Sequence, residues 1–147
     1  MICAAMMIST APTHAGFMSD LLDAVCTEET LGGPWRTIGL DGEVGDCQIL
    51  PRSARVFGKY RGPLIDLLDD RDLNRRVALA ILWDCRRRLR TDDYQRVAFC
   101  YNAGPGAEYT PNNRRAWYYA KRVTMRLSRA TMPTTRLRLA SYERRTE

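Results

Sequence analysis

Fifteen residues, Leu31 to Gly45, hold five glycines and a proline, and they interrupt a chain that otherwise reads as helix. Glycine gives up the most conformational freedom on ordering, so such a stretch forms neither a helix nor a long strand. The sequence therefore predicts helices on both sides of one irregular excursion, with a small β-excursion at Arg36–Leu40. Before the excursion, Phe17, Leu21, Ala24 and Val25 recur at helical spacing up to about Glu29, with Ser19 or Asp20 placed to cap. After it, Pro51 suits the first turn of a short helix reaching Phe57. Gly58–Gly62 reads as a turn, followed by a short helix near Pro63–Leu68. Asp72 is placed to cap a long helix running to about Arg90, with Leu73, Val77, Ala80, Ile81 and Cys85 inward. Thr91 is placed to cap the next, whose first turn holds Asp92 and Asp93 at the favourable end of the dipole. That helix stops at Gly104-Pro105-Gly106, where Gly104 and Gly106 predict a tight turn. A last helix, about Asn113 to Ser128, turns Trp117, Ala120, Val123 and Leu127 inward. No internal repeat is visible.

At 147 residues the chain has room for one domain. The expected division is an N-terminal extension at 1–16, a mostly α domain at 17–130 and a basic tail at 131–147. With 45% hydrophobic and 27% charged residues, wholesale disorder is excluded. No apolar run approaches the roughly 20 residues of a membrane span. One histidine, His14, excludes a multi-histidine metal centre, and the five dispersed cysteines do not form a zinc ribbon. Their odd number predicts free, mostly buried thiols and a reducing compartment, with a Cys26–Cys47 disulfide left open. No basic residue precedes Arg36, so the positive start of a secretory signal is missing.

Charge is skewed along the chain: residues 1–73 carry −5 and residues 74–147 carry +11. Arginine supplies all but two of the basic charges and pairs bidentately with carboxylate or phosphate, which favours an anionic partner. The plainer reading is a solvated helix face. An arginine-rich nucleic-acid binder acting through residues 114–145 is a rival, but the region lacks a DNA-reading motif and its basic stripe is interrupted.

Four signatures follow one another: Cys26-Thr27-Glu28-Glu29-Thr30, Gly45-Asp46-Cys47-Gln48-Ile49-Leu50-Pro51, Asp72-Leu73-Asn74 and Tyr101-Asn102-Ala103-Gly104. Tyr118 and Tyr119 come after them. In this order and spacing they resemble the lysozyme-like catalytic domain of soluble lytic transglycosylases, over roughly Leu21 to Val123. That family reads a helix ending in E-S, then G-L-M-Q-I-x-P, a D-x-x-N helix, Y-N-A-G and a late tyrosine. Thr30 stands where serine is usual, Asp46-Cys47 replaces an apolar pair, and Leu31 to Trp35 matches the family's loop only loosely.

The resemblance implies a goose-type, lysozyme-like single domain that cleaves the β-1,4 bond between N-acetylmuramic acid and N-acetylglucosamine. It implies Glu29 as the single acid/base, with Thr30, Gln48, Tyr101, Asn102 and Tyr119 binding substrate, and no metal or organic cofactor. The family register points to Glu29; helical phase alone leaves Glu28 open, and Tyr118 is the alternative to Tyr119. Such a glutamate protonates the leaving oxygen, then acts as base toward the muramic acid C6 hydroxyl, yielding a 1,6-anhydro product. Asp41, Glu43 or Asp46 could instead position a water and make the enzyme a hydrolytic muramidase, although a solvated loop cluster is the plainer reading. An inactive lysozyme-like structural component is a further alternative. Trp35 and Tyr109 lie in loops where they could stack on sugar rings. The implied partner is the peptidoglycan glycan strand, with other virion or secretion-assembly proteins reached through the basic tail. The implied place of action is the cell wall in the periplasm; the missing signal, free cysteines and basic tail fit a bacteriophage product carried in the particle or released by lysis, with a conjugation or secretion-system enzyme as the alternative.

Overall fold

A computed structural model describes residues 14–131. Six helices follow in order: α1 (His14–Thr30), α2 (Pro51–Val56), α3 (Leu64–Asp69), α4 (Arg71–Leu89), α5 (Tyr94–Ala103) and α6 (Arg114–Thr131). Among the described residues the protein is mostly α. The β-excursion is limited to two antiparallel bridges, Ile38 with Val44 and Val44 with Ile49. No described helix is long and apolar enough to cross a membrane.

The core lies among α1, α4, α5 and α6. Leu21 and Val25 of α1, Val77 and Ile81 of α4, Val97 and Cys100 of α5, and Ala120 and Val123 of α6 are all buried there. Each set recurs at three- to four-residue spacing, so each helix presents one apolar stripe to the others. Trp117, expected inward, is half-buried and packs on Tyr109 with ring centroids 4.9 Å apart.

Three expected caps move. Asp70, not Asp72, caps α4: its Oδ1 accepts from the Leu73 N–H at 2.8 Å. Asp93 rather than Thr91 caps α5, accepting from the N–H groups of Gln95 at 2.9 Å and Arg96 at 3.3 Å. Both residues have extended backbone, which lets a carboxylate fold over the next turn. Asp72 is already helical, and Thr91 instead accepts from the Asp93 N–H at 3.1 Å. Helix α1 begins at His14, so Ser19 and Asp20 are interior positions and the helix reaches back into the expected extension. The remainder of that extension, residues 1–13, and the basic tail from residue 132 lie outside the described residues.

Helix α5 ends as expected: Gly104 takes φ +85° and its N–H bonds the Cys100 carbonyl. Gly106 is not in the left-handed region.

The free-thiol expectation is overturned. Cys26 bonds Cys47 and Cys85 bonds Cys100. The first tie joins α1 to the loop after the glycine-rich excursion, and the second staples α4 to α5. Both pairings depend on tertiary packing across 21 and 15 residues of chain, which an odd cysteine count does not reveal. The inference of a reducing compartment loses its basis, since disulfides persist in oxidising ones.

Candidate functional site

One buried side chain of α4 makes several of the bonds that hold residues 37–49 in place. Asn74, fully buried, donates from Nδ2 to the carbonyls of Val44 at 2.9 Å and Leu67 at 3.0 Å. Its Oδ1 accepts from the Cys47 N–H at 3.0 Å. Gly45 sits against this amide at φ +77°, and a Cβ there would fall 2.1 Å from Asn74 Nδ2 and 2.7 Å from the Leu67 carbonyl oxygen. Reciprocal Val44–Ile49 backbone bonds of 3.1 and 3.0 Å close the turn between them. Gln48, in a left-handed conformation at φ +45°, donates from Nε2 to the Gly45 carbonyl at 2.8 Å. The Tyr101 hydroxyl donates to the Cys47 carbonyl at 2.7 Å, which ties the same turn to α5.

Between this turn, the end of α1, the end of α5 and the start of α6 lies a cleft of about 340 Å³. Glu29, Asp41, Glu43, Gln48, Tyr101, Asn102, Asn113 and Arg115 line it. Burial pushes the Glu29 carboxyl up to about 7; Tyr119 opposes this as a donor, Glu28 and Glu43 add to it, and Arg115 opposes it. The Tyr119 hydroxyl is buried and closes no hydrogen bond of standard length and angle, yet it lies near enough to Glu29 to act on its charge. Burial, then the negative charge of Glu29, drives the Tyr119 and Tyr101 phenols well above their ordinary range, so both stay neutral donors.

The two adjacent glutamates have separate surroundings. Successive helix positions point about 100° apart, and here one side faces the cleft and the other faces α6. Glu28 is buried and bonded by both Arg122 and Arg126, the latter from Nε at 2.7 Å. Burial acts to raise its carboxyl, but the two guanidinium groups outweigh that and hold it below the usual range. Glu28→Gln is expected to cost about 2 kcal/mol, because it leaves two partly exposed arginines unmatched. A urea titration measures the loss, and the effect should shrink in high salt.

Of the residues expected from sequence, Glu29, Gln48, Tyr101 and Asn102 come together around the cleft. Tyr119 stands behind Glu29, whereas Tyr118 is 57% exposed. Thr30 is not in the cleft lining; its hydroxyl donates back to the Cys26 carbonyl at 3.1 Å. Asp41 and Glu43 do face the cleft, and the Glu43 carboxylate accepts from the Asp41 N–H at 2.8 Å. Asp46 does not. It is 4% exposed and bonded by Arg71 at 3.1 Å and Arg75 at 2.9 Å, which removes it from the loop-carboxylate candidates. Trp35 and Tyr109 are half-buried outside the lining, with Tyr109 edge-on to Phe99 at 5.1 Å.

Sequence reasoning did not single out Asn113 or Arg115. No local pattern separates Arg115 from the other arginines of the C-terminal half. Asn74 was visible as part of the third signature, but its role in holding the loop was not. Cys26, Asp46 and Cys47 lie within ligand distance of one another, yet the disulfide removes both sulfurs as thiolate donors. No protein-family model, curated protein or solved structure matches this chain.

Proposed function

We propose that this protein is a lysozyme-like peptidoglycan lytic transglycosylase with Glu29 as its acid/base. The observation that carries the reading is a cleft-facing carboxyl raised to about 7 by burial, so that it still holds its proton near neutral pH. It protonates the glycosidic oxygen as the bond between N-acetylmuramic acid and N-acetylglucosamine breaks. The resulting carboxylate then takes the C6 hydroxyl proton as that oxygen closes on C1. Gln48 shapes the cleft wall through its bond to Gly45, Asn102 offers amide contacts to sugar, and Tyr101 and Tyr119 stay neutral beside the acid. The disulfides favour work in an oxidising setting such as the periplasm, and a phage-borne or lysis-released enzyme fits that setting.

A second reading has specific support. Asp41 and Glu43 line the same cleft, and either could hold a water on the opposite face of the sugar, as a hydrolytic muramidase requires. Mass spectrometry of digested peptidoglycan separates the two. Muropeptides ending in 1,6-anhydromuramic acid, each lighter by one water, are the expected products. Reducing-end products that disappear in Asp41→Asn or Glu43→Gln would establish a lysozyme instead. Release of no soluble fragment by the unaltered protein would leave the inactive structural component as the surviving reading.

A further inference from the structure

We propose that Arg115 binds a substrate carboxylate in the cleft and is thereby a specificity-determining residue. This rests on the peptidoglycan reading above. Arg115 is the second residue of α6, exposed, and the only cation among the residues lining the cleft. Eight other arginines among the described residues are held in ion pairs within 4.0 Å, and Arg115 is in none, although Glu29, Asp41 and Glu43 share its cleft. Its donors are therefore not consumed by the protein. Arg115 and Glu29 line the same cleft, and the charge of Arg115 acts on the Glu29 carboxyl.

A neutral sugar gives a guanidinium group little reason to be there. A carboxylate matches it in charge and in paired-donor geometry. Peptidoglycan presents carboxylates in two places: on the peptide stem, and on the lactyl group once the stem has been removed.

Calorimetric titration in a Glu29→Gln background, which prevents turnover, tests the assignment. Three ligands serve: a stem-bearing muropeptide oligomer, the same strand stripped of stems by an amidase, and an N-acetylglucosamine oligomer without carboxylates. Adding Arg115→Gln should weaken binding of a carboxylate-bearing ligand about tenfold, the usual scale for a charge-assisted hydrogen bond, and leave the neutral oligomer unchanged. Loss confined to the stem-bearing ligand assigns the contact to the stem; loss confined to the stripped strand assigns it to the lactyl group. Arg115→Lys should restore part of the affinity. Equal affinities with and without Arg115, or an equal loss on all three ligands, overturn the proposal while leaving the peptidoglycan reading intact. Failure of every ligand to bind either variant overturns both.

Discussion

Glu29→Gln is expected to abolish the release of soluble fragments from peptidoglycan, a loss on the order of 10³-fold or more from removal of the general acid. The amide keeps the shape and loses the proton, so the fold should survive, and above neutral pH it should gain. The Glu29 carboxyl is raised from 4.5 to about 7 by burial, which means the folded state holds the proton more tightly than the unfolded one. That contribution is fully present below 4.5 and is lost as pH rises through about 7. Glutamine has no charge to bury, so at pH 8 the variant should be more stable than the parent by roughly 1–3 kcal/mol, and at pH 4 the two should converge. Thermal melts at the two pH values measure this. Activity of the parent should fall along an alkaline limb centred near 7, where Glu29 loses its proton. Retention of activity in Glu29→Gln would remove Glu29 as the acid. Equal melting at both pH values would show that its surroundings do not raise its pKa.

Asn74→Ala is expected to produce the largest loss of stability, roughly 2–5 kcal/mol, because it leaves two buried backbone groups without partners and strips a third of one of its two. The Leu67 carbonyl and the Cys47 N–H depend on this one amide, and the Val44 carbonyl shares it with the Ile49 N–H. Neither aspartate nor leucine can replace it, since two donors and one acceptor are needed. The loop should loosen before the helices melt, so cleft binding should weaken even where folding persists. Urea titration with intact disulfides gives the magnitude. A loss below about 1 kcal/mol would show that the turn and the Cys26–Cys47 bond hold the loop by themselves.

What could be read from sequence follows from how local each feature is. Helix positions in α2 through α6 came from apolar spacing, Pro51 and Gly104, all of which act within a turn or two. The caps of α4 and α5 were each misplaced by two residues because Asp70 and Asp72, like Thr91 and Asp93, can both cap a helix, and backbone dihedrals decide which one is used. The gathering of Glu29, Gln48, Tyr101 and Asn102 was implied only by the family resemblance that the four signatures carry. Helical phase left Glu28 and Glu29 equivalent, and what separates them is long-range: Arg122 and Arg126 lie more than 90 residues on. The disulfides, the burial of Asp46 and the reach of Arg115 into the cleft were hidden for the same reason. Each depends on a partner brought in by tertiary packing.

Cys26 stands three residues before Glu29 on α1, a rise of about 4.5 Å along the helix axis. Its bond to Cys47 therefore fixes the rotational phase of the helix close to Glu29. An insertion or deletion upstream of Cys26 would rotate only the preceding turns and would be felt as altered packing of Leu21 and its neighbours. A one-residue change between Cys26 and Glu29 would turn Glu29 by about 100° away from its place in the cleft, a deletion turning it to the arginine-bound side. Drift in length is thus tolerable on one side of a single residue and ruinous on the other, and the boundary between them is a covalent bond.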